Sequence, residues 1–422
     1  MSEAFLHYLW RLRLPGIPNP TTTDGRVVQI LHIGHWNQNE GPDFLNARLR
    51  IGPLEWAGNV EIHVRSSQWQ AHGHDNHPAY RNVILHVVYE DDAPLAPHLA
   101  VATIELRHQL PSHFYQRYQQ LQSSTKWVPC ASSLNHIVEP LRTSWLQRVV
   151  VERLEARLQP IKESLQLNRN DWQETFYQML AGALGAPVNT EPMRQLAQRV
   201  PLKMLARHLG QPVQIEAMLF GTAGLLPRRS SDEYTSLLQQ EFKHLQKKYG
   251  LPSLPPASWR FFRLRPAAFP TLRIAQLASL FQQQPALWSL VLDATTVMQL
   301  KELLKTSVAG YWQMHYRFGT ISAPCAKTLG DETLNLLLIN CIIPMLFLYG
   351  KTHGNEAWCQ RALSFLEQLP AENNTIVRRW RQLGITPHSA ADSQALMYLK
   401  HSYCDQRRCL FCAWGSFIIQ GK

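Results

Sequence analysis

The chain has 422 residues, which is more than one hydrophobic core usually serves, so we expect two or three domains. Its 42 lysines and arginines outnumber its 31 acidic residues, and the net charge of +11 favours an anionic partner such as nucleic acid. The sequence predicts neither a membrane anchor nor a secretion signal, and its seven cysteines, an odd number, argue against a disulfide framework. We therefore expect a cytoplasmic protein.

The first 110 residues carry the pattern of a small mixed α/β domain. A short helix is predicted over residues 2–12, because Phe5, Leu6, Leu9 and Trp10 share one helical face. Alternating or β-branched runs then predict five strands, over residues 26–33, 47–51, 58–64, 83–89 and 100–106.

After residue 110 the hydrophobic pattern becomes helical almost throughout. Proline-rich joints separate the helical runs, which lie at residues 141–158, 172–184, 233–248, 272–282 and 334–348. The expected fold class is α+β, with a mixed α/β domain over residues 1–110 and a mainly helical region over residues 111–395. A cysteine-containing segment over residues 396–422 is expected to pack on this fold.

Three polar residues of the first domain have the pattern of a divalent-metal site. Asp43 follows Gly-Pro and opens a strand, and the period of two places Glu61 and His63 on one face of another strand. Carboxylate oxygens hold Mg²⁺ or Mn²⁺, which screens phosphate charge and lowers the pKa of bound water, and a neighbouring base can take the proton. The alternative is structural, with Asp43 capping a turn and Glu61 paired with an arginine.

Histidines are concentrated around this pair. Five of the chain's 18 histidines lie between residues 63 and 86, namely His63, His72, His74, His77 and His86. His72 and His74 can present both imidazoles to one metal. His86, on an apolar strand, could face the same pocket and act with Asp43 as a catalytic group. In the alternative interpretation, His86 is a core residue bonded to a backbone carbonyl and the other three lie on a solvated loop.

Three cysteines crowd near the C-terminus in the spacing Cys404-x4-Cys409-x2-Cys412. Three thiolates at this spacing can bind one metal ion, but the run lacks a fourth ligand. His401 would complete a Zn²⁺ site, whereas Cys130 would give a site made of cysteines alone. Reduced thiols without a metal are the remaining alternative.

Arginines are the candidate nucleic-acid contacts of the helical region. Arg263, Arg265 and Arg273 are predicted to bind nucleic acid, because Phe261 and Phe262 beside them could stack on bases. The alternative is that the aromatic rings are core residues and the charges lie on a solvated face.

Several segments together resemble an uncharacterised bacterial family, a domain of unknown function best known from Bacteroidetes. The resemblance covers nearly the whole chain and implies no established activity. The segments that carry it are residues 41–44 (GPDF), 58–63 (GNVEIH), 82–88, 263–266 and the cysteine run that begins at Tyr403.

The first domain also resembles the core of the PD-(D/E)xK nuclease superfamily. There, an Asp that opens a strand and a Glu on the next strand hold a divalent metal, and a Lys two residues beyond the Glu positions or activates water. Asp43 and Glu61 match this pattern, and His63 replaces the Lys.

This second resemblance implies a metal-dependent nuclease or a related phosphodiester hydrolase that acts on DNA or RNA. By this resemblance Asp43 and Glu61 would be its metal ligands, and the spacing of His72 and His74 adds these two histidines to the predicted set. Some nucleases of this kind also hold an iron–sulfur cluster with one distant and three C-terminal cysteines. The alternative function is a non-catalytic nucleic-acid-binding or assembly protein that keeps a nuclease-like fold with a degenerate site.

Overall fold

The computed structural model describes residues 1–229, 232–308 and 310–421. The chain forms two compact units, of which unit 1 comprises Met1–Trp145 and Leu399–Lys422, and unit 2 comprises Leu146–Tyr398. Unit 1 contains a mixed sheet and unit 2 is mostly helical, so the predicted α+β class is confirmed. The predicted domain limits at residues 110 and 395 stay predictions. They mark changes in the hydrophobic pattern of the sequence, whereas the two units are defined by which residues pack together.

Unit 1 is built on a six-stranded sheet in the order β1-β3-β4-β5-β6, with β2 paired to β3. The pairs β1–β3 and β3–β4 are antiparallel, whereas β4–β5 and β5–β6 are parallel. All five predicted strands are present, and the two-residue β2 was not predicted. The strands are β1 Val28–His32, β2 His35–Trp36, β3 Phe44–Ile51, β4 Leu54–Arg65, β5 Val83–Glu90 and β6 Ala102–Glu105.

The central strand β4 approaches its neighbour β5 closely at Gly58. A Cβ at this position would lie 2.5 Å from Cγ2 of Ile84 and 2.6 Å from the carbonyl oxygen of Asn82, so a larger residue does not fit. The parallel register pairs Glu61 with His86. Six consecutive residues of β5, Val83 to Val88, are buried because the strand is covered on both faces.

Three helices of unit 1 precede the second unit: α1 Glu3–Arg11, α2 Gln68–Ala71 and α3 Ser112–Ser123. The predicted apolar face of α1 is buried, and the indole nitrogen of Trp10 donates to the carbonyl oxygen of Ile33 at 3.0 Å. The ring of Trp10 also packs against Phe44, with centroids 6.4 Å apart. These contacts fix α1 beside the start of β3.

Helices and one small hairpin form most of the rest of the chain. The hairpin strands are β7 His315–Arg317 and β8 Thr320–Ile321. The helices are α4 Glu139–Leu167, α5 Trp172–Leu184, α6 Thr190–Arg199, α7 Leu202–Ala206, α8 Pro212–Thr222, α9 Glu233–Tyr249, α10 Pro270–Gln283, α11 Leu287–Asp293, α12 Val297–Leu304, α13 Asp331–Leu337, α14 Ile343–Thr352, α15 Glu356–Gln368, α16 Thr375–Gln382 and α17 Ala390–Tyr398. The chain then returns to unit 1 through a π-helical turn, Leu399–Cys404, a 3₁₀ turn, Cys409–Phe411, and α18 Ala413–Gln420.

One helical stretch among the described residues, Asp331–Thr352, is long and apolar enough to cross a membrane. Its most apolar window is 72% buried inside the protein, which is typical of a core helix in a soluble protein.

Candidate metal centre

Asp43 and Glu61 are held together by reciprocal hydrogen bonds across two adjacent strands. The backbone N–H of Asp43 donates to Oε2 of Glu61 at 3.1 Å, and the backbone N–H of Ile62 donates to Oδ2 of Asp43 at 2.9 Å. The turn before β3 fixes Asp43 further, because the N–H of Asn37 donates to its carbonyl oxygen at 2.7 Å. The fold therefore brings together the two carboxylates that the sequence predicts to act together.

The second carboxylate oxygen of Glu61 faces two imidazoles. Its Oε1 lies 3.4 Å from Nε2 of His63 and 3.4 Å from Nε2 of His74. Nitrogen atoms of His63, His72 and His74 lie within 4.8 Å of one another. His72 is exposed, whereas the other residues of the group are buried. This arrangement can offer one metal ion three imidazole nitrogens, and Oε1 of Glu61 lies beside two of these histidines.

His86 is bonded to His63 behind this group. Nε2 of His86 lies 2.9 Å from Nδ1 of His63, and His86 is fully buried. When Nδ1 of His63 carries the shared proton, its Nε2 presents a lone pair toward Glu61 and His74. A histidine that binds metal usually donates its other ring N–H in this way. His86 is thus placed to orient His63.

Burial sets the charge state of these groups. It raises the pKa of Glu61 well above the usual range, and the neighbouring charge of Asp43 raises it further. Burial also lowers the pKa of His63 and His86 to about 3 and that of His74 to about 4, with smaller effects from neighbouring histidines. The imidazoles are therefore neutral at pH 7, which is the form that binds metal.

Helix α1 contributes two groups that the sequence analysis missed. Nε2 of His7 lies 3.1 Å from Oδ2 of Asp43 and 3.8 Å from Oε1 of Glu3. Ligand atoms of Glu3, His7 and Asp43 lie within 4.8 Å of one another, so Asp43 belongs to a second potential metal group. The signal that could have found this group is the spacing of four residues between Glu3 and His7, which places both on one helical face.

The loop after β4 is fixed by aromatic packing. The ring of His74 stacks on Tyr80, with centroids 3.7 Å apart, and the indole of Trp69 donates to Oδ1 of Asp75 at 2.7 Å. His77 is exposed, its Nδ1 accepts from the N–H of Ala79 at 3.3 Å, and its ring contacts Tyr80 edge-on with centroids 5.6 Å apart. These contacts hold the loop in a conformation that places His74 beside Glu61.

The predicted cysteine site also converges in unit 1. Cys130 lines one cavity together with Cys404, Cys409 and Cys412. The side chain of His401 is 64% exposed, and its Nδ1 lies 3.4 Å from Oδ2 of Asp405. Of the two candidate fourth ligands, Cys130 therefore faces the three C-terminal cysteines.

The predicted nucleic-acid contacts lie in unit 2. Arg263 and Arg265 are exposed on the segment before α10, where the guanidinium of Arg263 lies 5.3 Å from the ring of Phe262. Arg273, on α10, donates to Oε1 of Gln276 at 2.9 Å, and burial lowers its pKa to about 10. Arg263 and Arg265 are free to reach a ligand in solvent, whereas Arg273 is bonded within its own unit.

Comparison with known proteins assigns the chain to one family. A family model described as "Protein of unknown function (DUF2851)" matches residues 3–375. These residues include both carboxylates and all histidines of the candidate metal centre, and the three C-terminal cysteines lie beyond the match. No curated protein and no solved structure matches the chain. The expected membership of an uncharacterised family is confirmed, since the matched residues cover nearly the whole sequence: the chain belongs to the DUF2851 family.

Proposed function

We propose that unit 1 is a metal-dependent phosphodiester hydrolase that acts on nucleic acid. The observation that carries this proposal is the position of Glu61, whose one oxygen bonds to the strand of Asp43 while the other lies 3.4 Å from two histidine nitrogens. An oxygen of Glu61 beside neutral imidazoles, with the carboxylate of Asp43 bonded to the same strand, is a donor set that suits a divalent metal. The resemblance to PD-(D/E)xK nucleases supports the same assignment, because there too an Asp that opens a strand and a Glu on the next strand share an ion.

Each residue has a distinct role in this proposal. Glu61 and His74 supply an oxygen and a nitrogen ligand, and Asp43 supplies a second carboxylate on the more open side, where its side chain is 18% exposed. His63 is 2% exposed, so its deep burial favours a ligand role over that of a base. His7 is 15% exposed and in contact with Asp43, and it is the group best placed to accept a proton from water.

The donor set also bears on the choice of metal. A bound divalent ion would polarise the phosphoryl group and lower the pKa of water. Mg²⁺ and Mn²⁺ are the ions that the carboxylates suggest, and the added imidazole nitrogens favour Mn²⁺ over Mg²⁺. Zn²⁺ also suits imidazole ligands and belongs in any test of activity.

Nucleic acid is the proposed substrate because the chain carries a net charge of +11. The exposed Arg263 and Arg265 are the proposed contacts in unit 2, and Arg273 is the third candidate. The cytoplasm is the proposed compartment, since the described residues include seven cysteines, all with free thiols.

A second candidate function has one observation in its favour. Glu61, His63 and His86 are 5%, 2% and 0% exposed, which is little for groups that must meet a bulky substrate. A degenerate site would keep such groups for packing alone, and the protein would then bind nucleic acid or assemble with a partner without hydrolysing it.

The test is an assay of the purified full chain with Mn²⁺, Zn²⁺ or Mg²⁺ against single- and double-stranded DNA and RNA. We expect hydrolysis with Mn²⁺ that stops with a chelator and falls about 100-fold or more in Glu61→Gln. Glu55→Gln is the matched control, because Glu55 lies exposed on the same strand, beside Arg50, and should leave activity unchanged. Full activity in Glu61→Gln would refute the proposal, and binding without hydrolysis under any metal would favour the second candidate.

A further inference from the structure

Two aromatic rings lie stacked and half-exposed on the surface of unit 1. The ring of Trp36, at the end of β2, and the ring of Phe411, in the 3₁₀ turn before α18, have centroids 5.9 Å apart and an interplanar angle of 27°. Trp36 is 39% exposed and Phe411 is 36% exposed. Large rings that are exposed together, and not singly, are typical of a binding surface.

Two arginines border these rings. The guanidinium carbon of Arg11, the last residue of α1, lies 5.2 Å from the ring centre of Trp36 and 5.1 Å from that of Phe411. The guanidinium carbon of Arg408, which is exposed, lies 5.4 Å from the ring centre of Phe411. These distances are those of cation–π contacts, so positive charge lies against both exposed rings. We call Arg11, Trp36, Arg408 and Phe411 the aromatic platform.

The aromatic platform adjoins the candidate metal centre through two short connections. Arg11 lies four residues after His7 in α1, so both side chains are on one helical face, about 6 Å apart along the axis. Nε2 of His7 lies 3.1 Å from Oδ2 of Asp43. Trp36 is followed by Asn37, whose backbone N–H donates to the carbonyl oxygen of Asp43 at 2.7 Å. A chain-like ligand that binds the platform can therefore extend to Asp43.

The composition of the aromatic platform indicates the chemistry of its ligand. Guanidinium groups bind phosphate, and aromatic faces stack on nucleobases, whereas an acidic peptide would supply carboxylates without planar bases. In a duplex the bases are stacked on one another, so only an unpaired base has a face free for Trp36 or Phe411. Charge and shape together therefore fit a single-stranded nucleic acid.

We propose that the aromatic platform binds single-stranded nucleic acid and directs it toward the candidate metal centre. The inference rests on the proposed function in taking nucleic acid as the substrate, and it adds that the substrate is a single strand. A base stacks on the two rings, the two guanidinium groups neutralise neighbouring phosphates, and the strand continues along α1 to Asp43. Unit 1 then supplies both a binding surface and a metal centre.

The test measures binding in the presence of a chelator, so that hydrolysis plays no part in the result. The probes are a labelled oligothymidine of about 12 nucleotides, the corresponding duplex, and a strand of the same length made of abasic sites, each followed by fluorescence anisotropy with the full chain. The abasic strand keeps the phosphates and lacks the bases, so we expect oligothymidine to bind about 5-fold or more tightly than the abasic strand. Equal affinity for these two strands would overturn the proposal. A lack of binding to any probe would overturn it too, in favour of a protein partner for this surface.

Variants test the two rings. Trp36→Leu and Phe411→Leu keep an apolar side chain and remove the planar ring, so each should weaken the binding of oligothymidine by about 5- to 100-fold and leave the abasic strand and the duplex unaffected. Trp56→Leu is the matched control, because Trp56 is 37% exposed on the same sheet and pairs with Leu49, five residues along β3 from Phe44, the partner of Trp36. Unchanged affinity in both ring variants would refute the proposal, and an equal loss for all three probes would assign the rings to folding alone. If one variant fails to fold, the other variant and the abasic strand decide the question.

Hydrolysis with Mn²⁺ separates this inference from the proposed function. If Trp36→Leu weakens the binding of the single strand and no metal supports hydrolysis, the aromatic platform is supported and the proposed function is refuted. If the wild type hydrolyses single strands and duplexes, and Trp36→Leu changes neither rate nor affinity, the proposed function is supported and the aromatic platform is refuted.

Discussion

His63 and His86 share a hydrogen bond of 2.9 Å between Nδ1 and Nε2, at a point where β4 and β5 run parallel. The bond matters because a ring nitrogen that carries a proton cannot bind metal, and the position of the shared proton decides which nitrogen of His63 is available. A buried partner that accepts from Nδ1 leaves Nε2 free, 3.4 Å from Oε1 of Glu61.

The first prediction changes this partner of His63. His86→Leu removes the hydrogen-bond partner of Nδ1, so we expect the affinity for Mn²⁺ or Zn²⁺ to fall by about 10- to 100-fold. His86→Gln keeps an oxygen that can accept from Nδ1 and should retain most of the affinity. Isothermal titration of the full chain measures both affinities. Equal affinity in the Leu and Gln variants would contradict the role given to His86.

The second prediction concerns Asp43. Asp43→Asn keeps an oxygen that can accept from the N–H of Ile62 but removes the negative charge beside Glu61. We expect the variant to fold with an unchanged circular dichroism spectrum and to lose Mn²⁺-dependent hydrolysis by about 100-fold or more. Because Asp43 also contacts His7, His7→Gln should reduce the rate, but by less than Asp43→Asn does. An active Asp43→Asn enzyme would show that the ion does not need this carboxylate.

Some of this site could be predicted from sequence because strand periodicity is local. The period of two was enough to place Glu61 and His63 on one face, and the Gly-Pro-Asp turn was enough to place Asp43 directly before β3. The position of His74 depends instead on how a loop returns to the sheet, through stacking on Tyr80, which no periodic pattern encodes.

The residues that were missed or left open depend on contacts between distant segments. Helix α1 was identified by its apolar face, whereas Glu3 and His7, at the edge of that face, became candidate ligands only when packing placed them beside Asp43. Similarly, spacing alone left both His401 and Cys130 open as the fourth ligand of the cysteine site. The fold favours Cys130, which is more than 270 residues from Cys404 in sequence but lines the same cavity.

The third prediction tests the nucleic-acid partner. With a net charge of +11, the chain should bind nucleic acid more weakly by about tenfold or more when salt rises from about 50 to about 200 mM, because phosphate contacts release counterions. Arg263→Gln should lower the slope of this salt dependence by about 1, and Lys162→Ala, an exposed change on α4, should not. Fluorescence anisotropy with a labelled oligonucleotide measures the slope. A flat dependence would indicate a protein or small-molecule partner.

The last prediction concerns the stability of unit 2 and the carboxyl group of Glu216. Burial raises the pKa of Glu216 to about 7, and its Oε2 accepts from the hydroxyl of Tyr234 at 2.8 Å. Between the unfolded value of 4.5 and a folded value near 7, the folded state keeps a proton that the unfolded state releases. The free energy of unfolding therefore falls as pH rises through this window, by an amount on the order of 3 kcal/mol at pH 8.

Glu216→Gln removes this loss, because Gln has no proton to release and can still accept from Tyr234. We expect the variant and the wild type to unfold at similar temperatures near pH 4.5, and the variant to unfold at a higher temperature at pH 8. Calorimetry of the full chain at both pH values measures the difference, and Glu367→Gln, an exposed change on α15, provides the control. If Glu216→Gln raises the unfolding temperature equally at both pH values, Gln acts through packing. If the variant and the wild type unfold at the same temperature at pH 8, Glu216 ionises in the folded protein without a cost in stability.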